Sequence, residues 1–146
     1  MLTIITNLEK LKVKKMTFKL SVASQERLKG VHPKLLEIID LSLKISKVDF
    51  GIPREGGFRT EAQQKVLYDK KLSMCDGTIY ISEHQTGRAF DVYAYVDGKA
   101  SWSGYDLARV ATAILQASSQ LGYHVEWGGN WERFVDMPHF QLGSEE

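Results

Sequence analysis

Residues 105–121 constrain the fold of this chain most, because they predict one long helix that ends at Gly122. A helix of this length argues against an all-β architecture. Residues 89–96 fall into two alternating faces, which predicts a strand, and the following Asp97-Gly98 pair predicts a tight turn. The sequence therefore predicts an α+β fold, with helices packed against a small, mainly antiparallel sheet.

Shorter patterns predict the remaining elements. Thr60 is expected to cap a helix, and Pro33 suits the first turn of another, because its missing N–H costs nothing there. The predicted elements are helices over residues 33–43 and 61–71, a short helix that opens at residues 24–26, and strands over residues 48–52, 123–127 and 139–142.

Length and charge predict one domain. The chain has 146 residues, and its 19 basic and 18 acidic residues nearly cancel. A basic excess is confined to the first 20 residues, so we expect no nucleic-acid partner. The single Cys75 excludes an internal disulfide framework. We expect residues 16–146 to form a single, monomeric domain and residues 1–15 to be a disordered extension, with Met16 as an alternative start.

The sequence also predicts where the protein is made. No apolar run approaches the ~20 residues of a membrane-spanning helix, so no stable membrane insertion is expected. The start does not resemble a signal peptide, because the charges follow the apolar residues instead of preceding them. We therefore expect synthesis in the cytoplasm without a signal peptide, and any role outside the cytoplasm to need another route of release.

Three residues distant along the chain have the side chains of a catalytic metal site. His84 and Asp91 are seven residues apart, and on one helix they would lie ~10 Å apart along its axis, too far for one ion. They can converge only if the chain turns between them, which Gly87 permits because glycine tolerates positive φ. His139 begins a short apolar strand, from which its ring could reach the same point. Two histidines and one carboxylate leave an open position for water, as catalytic zinc sites require.

Other polar residues are candidates for the same site. Asp136, three residues before His139, can overhang a metal without binding it and accept a proton from water. Arg59 could bind a substrate carboxylate or stabilise the oxyanion of amide hydrolysis. Gln64 is a further candidate for the wall of the same site. The alternative is that its side chain is a solvated amide on the helix surface. Trp127 begins a Trp-Gly-Gly-x-Trp stretch whose rings can both pack in the core and shape the site.

In type, spacing and order, these segments resemble the zinc peptidases of family M15. The matching residues are Phe58-Arg59-Thr60 with Gln64, Ser82-x-His84-x-x-Gly87-x-Ala89-x-Asp91, Trp127-Gly128-Gly129, and Asp136-x-x-His139. The resemblance covers roughly residues 48–142. The compact chain and its Asp-x-Pro-His-Phe ending are most similar to the phage endolysin branch, and Asp136 resembles that branch too, since many members have Glu at this position.

The resemblance implies a hedgehog/D,D-peptidase fold and a peptidoglycan stem peptide as substrate. The first choice of bond is L-Ala-D-Glu, and the second is D-Ala-D-Ala. An endolysin of this kind would collect in the cytoplasm and act on the cell wall after release. The candidate residues are His84, Asp91 and His139 for Zn²⁺, Asp136 and Arg59 for catalysis, and Gln64, Ser82 and Trp127 for substrate binding.

Two other classes of function remain open from the sequence. Two histidines and a carboxylate also form the facial triad of iron(II) oxygenases, but those enzymes resemble all-β jelly rolls with a shorter His-x-Asp spacing. A non-catalytic module that binds the cell wall could use the same fold. His124 and Glu126 form a rival pair without a third ligand nearby, and we interpret them as partly exposed. His32 is expected to face solvent.

Overall fold

A computed structural model describes residues 17–145 of the protein. The extension expected over residues 1–15 lies outside these residues. Among these described residues the helices are, in order, α1 (Val22–Arg27), α2 (Pro33–Ile45), α3 (Glu61–Asp69), a short 3₁₀ helix (Glu83–Thr86), α4 (Gly104–Leu121) and a second 3₁₀ helix (Gly128–Asn130). The strands are β1 (Asp49–Gly51), β2 (Ala89–Asp91), β3 (Tyr93–Val96), β4 (Lys99–Ser101), β5 (Val125–Trp127) and β6 (His139–Leu142).

The strands form two small sheets rather than the single sheet that the sequence suggested. One sheet has the order β1-β3-β4 and the other β2-β6-β5, and every pair is antiparallel. The strand expected over residues 89–96 is therefore divided at Val92. This residue is fully buried, and its N–H donates to the carbonyl of Pro138 at 3.0 Å, outside both ladders. The α+β class is confirmed, and the helices exclude the all-β jelly roll of the oxygenase alternative.

Helices α2 and α4 pack on each other and against the strands to form the core. Each helix buries one face, and α4 buries its small residues together with Leu107, Val110 and Ile114. Phe90 of β2 and Phe140 of β6 are fully buried and stack with their ring centroids 5.4 Å apart. The sheet β2-β6-β5 is thereby attached to the core beside the strand ends that carry the candidate site.

Local signals place the helix ends largely as expected. Thr60 caps α3 in a capping box with Gln63, and Gly122 ends α4 in the left-handed conformation, with φ +73°. Ser21 rather than Ser24 caps α1, since Ser24 is buried and its hydroxyl accepts the N–H of Ile52 at 3.0 Å.

His32 was expected to face solvent, but it is only half exposed. Its Nδ1 accepts the N–H of Lys34 at 3.1 Å and so caps α2. In the part of the chain from residue 17 to residue 145, no helix combines the length and the apolar character needed to cross a membrane.

Candidate metal centre and active-site groove

The 3₁₀ helix that carries His84 has both ends defined by neighbouring residues. Ser82 caps it, because its Oγ accepts the backbone N–H of His84 at 3.3 Å. Gly87 ends it at φ +73°, and a Cβ at this position would lie 2.4 Å from the carbonyl oxygen of Gly30. The turn expected at Gly87 is therefore present, and glycine alone fits both its dihedral angle and the close approach.

Strand pairing brings the other two candidate ligands together. Asp91 and His139 stand directly opposite each other in the antiparallel pair β2–β6. Opposite residues in such a pair place their side chains on the same face of the sheet. The separation of 48 residues along the chain is thus closed by the backbone ladder itself.

The donor atoms of the three residues form a nearly equilateral triangle. Asp91 Oδ1 lies 3.2 Å from His84 Nε2 and 3.1 Å from His139 Nδ1, and the two ring nitrogens are 3.2 Å apart. Ligands ~2.0–2.1 Å from a tetrahedral zinc ion lie about 3.3–3.4 Å from one another, so the triangle is close in size to one face of such a tetrahedron. The cluster could therefore hold a metal ion through three protein ligands.

Each of these ligands has an outer partner that sets its orientation. His84 Nδ1 lies 2.9 Å from the carbonyl oxygen of Gly57, and His139 Nε2 lies 2.8 Å from Gln141 Oε1. Because both partners are acceptors, the protons of the neutral rings belong on these nitrogens, and lone pairs are left on the nitrogens of the triangle. Arg59 Nη2 donates to Asp91 Oδ2 at 3.0 Å, which leaves Oδ1 for the cluster.

The charges of the cluster are strongly coupled. Burial opposes ionisation of Asp91, but the charge of His84 and the hydrogen bonds from His139 and His84 outweigh it and hold the pKa of Asp91 well below its usual range. Burial would lower the pKa of His139, yet the hydrogen bond and charge of Asp91 raise it. The Asp91 carboxylate and the His139 imidazole thus each favour the charged form of the other.

Arg59 is fixed by three different partners. Its Nε donates to the carbonyl of Glu55 at 2.7 Å, its Nη1 donates to Gln64 at 3.2 Å, and its Nη2 donates to Asp91. Only 12% of its side chain is exposed. Arg59 lines the floor of the groove, where it neutralises Asp91.

Gln64 lies behind Arg59 and not in the groove wall. It is 0% exposed, its Oε1 accepts from Arg59, and its Nε2 donates to Ser73 Oγ and to the carbonyl of Cys75, both at 2.8 Å. The sequence suggested two roles for Gln64, a substrate contact or a solvated surface amide. This buried position matches neither of them. The geometry instead makes Gln64 a positioning residue for Arg59.

Asp136 is exposed at the rim of the groove and is not part of the three-residue cluster. Its backbone N–H donates to the carbonyl of Gly128 at 3.0 Å, and a Cβ on Gly128 would lie 2.3 Å from the carbonyl oxygen of Asp136. Desolvation by the surrounding groove and the charge of Asp91 raise the pKa of the Asp136 carboxyl above its usual value.

The two tryptophans of the Trp-Gly-Gly-x-Trp stretch have different positions. Trp127 Nε1 donates to the carbonyl of Met137 at 2.7 Å, and its ring stacks on Phe140, so it holds the segment before His139 and does not line the groove. Trp131 lines the groove, with its ring 5.2 Å from that of His139. The spacing of the stretch indicated a site-shaping ring, but the sequence did not show which tryptophan supplies it.

Some of the other residues named from the sequence line the groove, and some do not. Ser82 lines the groove, but its hydroxyl serves as the helix cap for His84. His124 and Glu126 are both exposed and lie outside the cluster. Gln141 and Arg133 are among the groove residues that were not identified from the sequence. Gln141 stands two residues after His139 on the same strand, and this spacing places it on the same face and could have indicated it.

The groove above the cluster has a volume of about 600 Å³ and a polar floor between apolar rims. One rim comes from residues 72–75 and 81–83, and the other from residues 131 and 133–136. The exposed apolar side chains on these rims are Leu72, Met74, Ile81, Phe134 and Val135.

The α+β fold and the cluster at the base of an open groove define the protein as an α+β protein with a potential metal centre. The chain belongs to the phage L-alanyl-D-glutamate peptidase family, whose model matches residues 16–142.

Known relatives support this assignment. The chain is 31% identical over 127 residues to the L-alanyl-D-glutamate peptidase of Escherichia phage T5, a match that covers 83% of this chain and 87% of the relative. A shorter match of 61 residues, 36% identical, covers 42% of this chain and 21% of the L-alanyl-D-glutamate peptidase of Listeria phage A118. The structure is similar to that of the Serratia marcescens L-Ala D-Glu endopeptidase ChiX, with a TM-score of 0.76 and 36% identity over 91% of this chain and 94% of that one.

Proposed function

We propose that the protein is a zinc-dependent endopeptidase that hydrolyses the L-Ala-D-Glu bond of peptidoglycan stem peptides. The observation that carries this proposal is the triangle of donor atoms from His84, Asp91 and His139, with sides of 3.1–3.2 Å, at the base of a groove open to solvent. The family membership and the names of the relatives support the choice of bond.

The donor set favours zinc over the harder divalent cations. Two imidazole nitrogens and one carboxylate oxygen are typical zinc ligands, whereas Mg²⁺ and Ca²⁺ prefer oxygen donors throughout. When bound, zinc supplies Lewis acidity towards the scissile carbonyl and acidifies a water molecule.

Asp136 moves the proton in this proposal. Its carboxylate, at the rim above the cluster, accepts a proton from the attacking water and returns it to the leaving amine of glutamate. A raised pKa suits the proton-accepting half of this role, because the carboxylate becomes a better proton acceptor than an ordinary Asp. The backbone of Asp136 is held in place by its hydrogen bond to the carbonyl of Gly128.

Arg59 organises the floor of the groove. It fixes the Asp91 carboxylate through Nη2 and places positive charge beside the position where the carbonyl oxygen of the substrate becomes negative. Its three fixed partners make this charge preorganised, so little reorganisation is needed during the reaction.

The proposed setting is the bacterial cell wall. In this proposal the protein acts there as a monomer, after it leaves the cytoplasm when the membrane is breached, as the similarity to phage endolysins implies.

Mass spectrometry of muropeptides after digestion by the zinc-loaded protein tests the proposal. The expected products have new amino termini on D-Glu, with L-Ala left on the muramic acid. Release of terminal D-Ala alone would instead identify a D-Ala-D-Ala carboxypeptidase, and unchanged muropeptides together with retention on purified sacculi would identify a wall-binding module. Elemental analysis of the purified protein separates zinc from iron.

A further inference from the structure

Three of the Asp, Glu and Arg side chains that line the groove, Arg59, Asp91 and Glu83, take part in ion pairs. Asp91 pairs with Arg59 at 3.0 Å, and Glu83 pairs with Arg88 at 3.2 Å. Arg133 is the second cation that lines the groove, and it is exposed. Within residues 17–145, no carboxylate lies within 4 Å of its guanidinium.

The loop that carries Arg133 is anchored at both ends. Trp131 packs against His139 at one end, and the N–H of Asp136 is bound to Gly128 at the other. Between these anchors Phe134 has a positive φ of 53°, a conformation that is unfavourable for a bulky L-residue. The loop therefore presents Arg133 and the exposed Phe134 on the groove side while its ends stay fixed to the catalytic elements.

The proposed substrate carries a charge that fits this cation. In an alanyl-glutamate unit of a stem peptide, one carboxyl of glutamate continues the chain and the other is a free carboxylate or its amide. A free carboxylate one residue from the scissile bond would meet the negative Asp136 at the rim of the groove. An arginine can offset this repulsion, and it can bind a carboxylate through two parallel hydrogen bonds.

We propose that Arg133 is a specificity-determining residue that binds the free carboxylate of the substrate glutamate. This inference rests on the proposed function. Arg133 makes the enzyme selective for stem peptides whose glutamate keeps its carboxylate, over those in which the carboxyl is a carboxamide. Arg59 does not perform this selection, because each of its three guanidinium nitrogens already donates a hydrogen bond, to Glu55, Gln64 and Asp91.

Two synthetic stem peptides test the inference, identical except that the glutamate carries a free carboxylate in one and a carboxamide in the other. We expect the zinc-loaded wild type to cleave the carboxylate peptide with the higher kcat/KM. A charge-assisted pair lost in Arg133→Ala corresponds to a fall of about ten- to a hundredfold on the carboxylate peptide. On the carboxamide peptide we expect a change of less than about threefold.

Two further variants keep the test decisive. Arg133→Glu should reverse the preference between the two peptides, and Arg133→Lys, which keeps the charge without the paired hydrogen bonds, should give an intermediate value. Arg109→Ala is the matched control, because Arg109 is an exposed arginine of α4 that lies over the ring of Tyr105, outside the groove.

The possible outcomes separate this inference from the proposed function. Equal losses on both peptides in Arg133→Ala, or no loss on either, would overturn the assignment of Arg133. A wild type that cleaves both peptides equally well would overturn it too while leaving the endopeptidase in place. If the wild type cleaves neither peptide, the proposed function fails and the inference fails with it.

Discussion

Asp91 and His139 stand opposite each other in the β2–β6 ladder, with Asp91 Oδ1 and His139 Nδ1 3.1 Å apart. The backbone pairing that holds these strands therefore also sets the distance between two of the three proposed metal ligands. His84 joins them from the 3₁₀ helix that immediately precedes β2, so the cluster depends on one strand pair and one tight turn.

Metal binding and catalysis should separate between two variants. We expect His139→Ala to lose zinc, because two donors remain. Asp136→Asn should keep about one zinc per chain while kcat falls about 10²- to 10⁴-fold, the usual contribution of a general base. Zinc content after dialysis and turnover of muropeptides measure the two effects. His124→Ala, which removes an exposed histidine outside the cluster, should retain both. Equal zinc loss in His139→Ala and Asp136→Asn would contradict the division of roles.

Gln64→Leu should weaken both the fold and the site. It leaves Arg59 Nη1 and the carbonyl of Cys75 without their buried partner, which costs about 1–3 kcal/mol in the free energy of unfolding. Because Arg59 orients Asp91, zinc affinity should also fall about tenfold or more. Urea unfolding of the metal-free protein and zinc titration give the two values.

Gln116→Leu is the control for this variant. Gln116 is an exposed amide of α4, so its replacement should change stability by no more than about 0.5 kcal/mol. A Gln64→Leu protein as stable as this control would show that the buried amide network contributes little.

Gly87→Ala and Gly122→Ala separate backbone conformation from close packing. Both glycines have φ +73°, but a Cβ at Gly122 has nothing within 4 Å, whereas one at Gly87 lies 2.4 Å from the carbonyl oxygen of Gly30. We expect Gly122→Ala to cost about 1–2 kcal/mol from the left-handed conformation alone. Gly87→Ala should cost about 1–3 kcal/mol more because the backbone must move. Denaturant titrations of both variants test the difference, and equal losses would show that the turn at Gly87 relaxes freely.

Asp76 should make part of the stability depend on pH. Its Oδ1 accepts the backbone N–H groups of Thr78, Ile79 and Tyr80 at 2.9–3.0 Å. The bonds from Tyr80 and Thr78 lower the pKa of Asp76. A lowered folded pKa means that the carboxylate stabilises the protein above its unfolded pKa of about 3.9, and that this contribution disappears as the pH falls through the lower folded value.

Asp76→Asn removes the charge and keeps an acceptor oxygen, so it isolates this effect. The advantage of the wild type over the variant in the free energy of unfolding should be constant above about pH 5 and shrink as the solution becomes more acidic. Urea unfolding across this range provides the measurement. Parallel pH profiles for the two proteins would show that the charge of Asp76 does not contribute.

Much of the local structure was predictable, because it depends on residues close together in the chain. The cap at Thr60, the end of α4 at Gly122, the turn at Gly87 and the strand His139–Leu142 all lie where the sequence placed them. In each case a dihedral preference or a short-range hydrogen bond selects the conformation. The three candidate ligands could also be selected from residue type and order.

Other features depend on contacts that no short segment contains. Residues 89–96 read as one strand, but burial of Val92 and its bond to Pro138 divide them between two sheets. Gln64 and Trp127 both looked like substrate contacts, yet the first is buried behind Arg59 and the second holds Met137. A polar side chain can face the groove, or it can lie behind it and hold other groove residues in place. Its contacts with residues distant in the sequence decide between the two.

The sequence by itself determined most of the helices and strands, the turn at Gly87 and the set of candidate metal ligands, since these follow from residue type and from preferences of neighbouring residues. Only the tertiary structure decided that Asp91 faces His139, that Arg59 is tied to Asp91, and that Arg133 stands on the groove without an acidic partner among residues 17–145. The physical reason is that distances of a few ångströms between side chains far apart in the chain are set by strand register and core packing, which involve the whole domain.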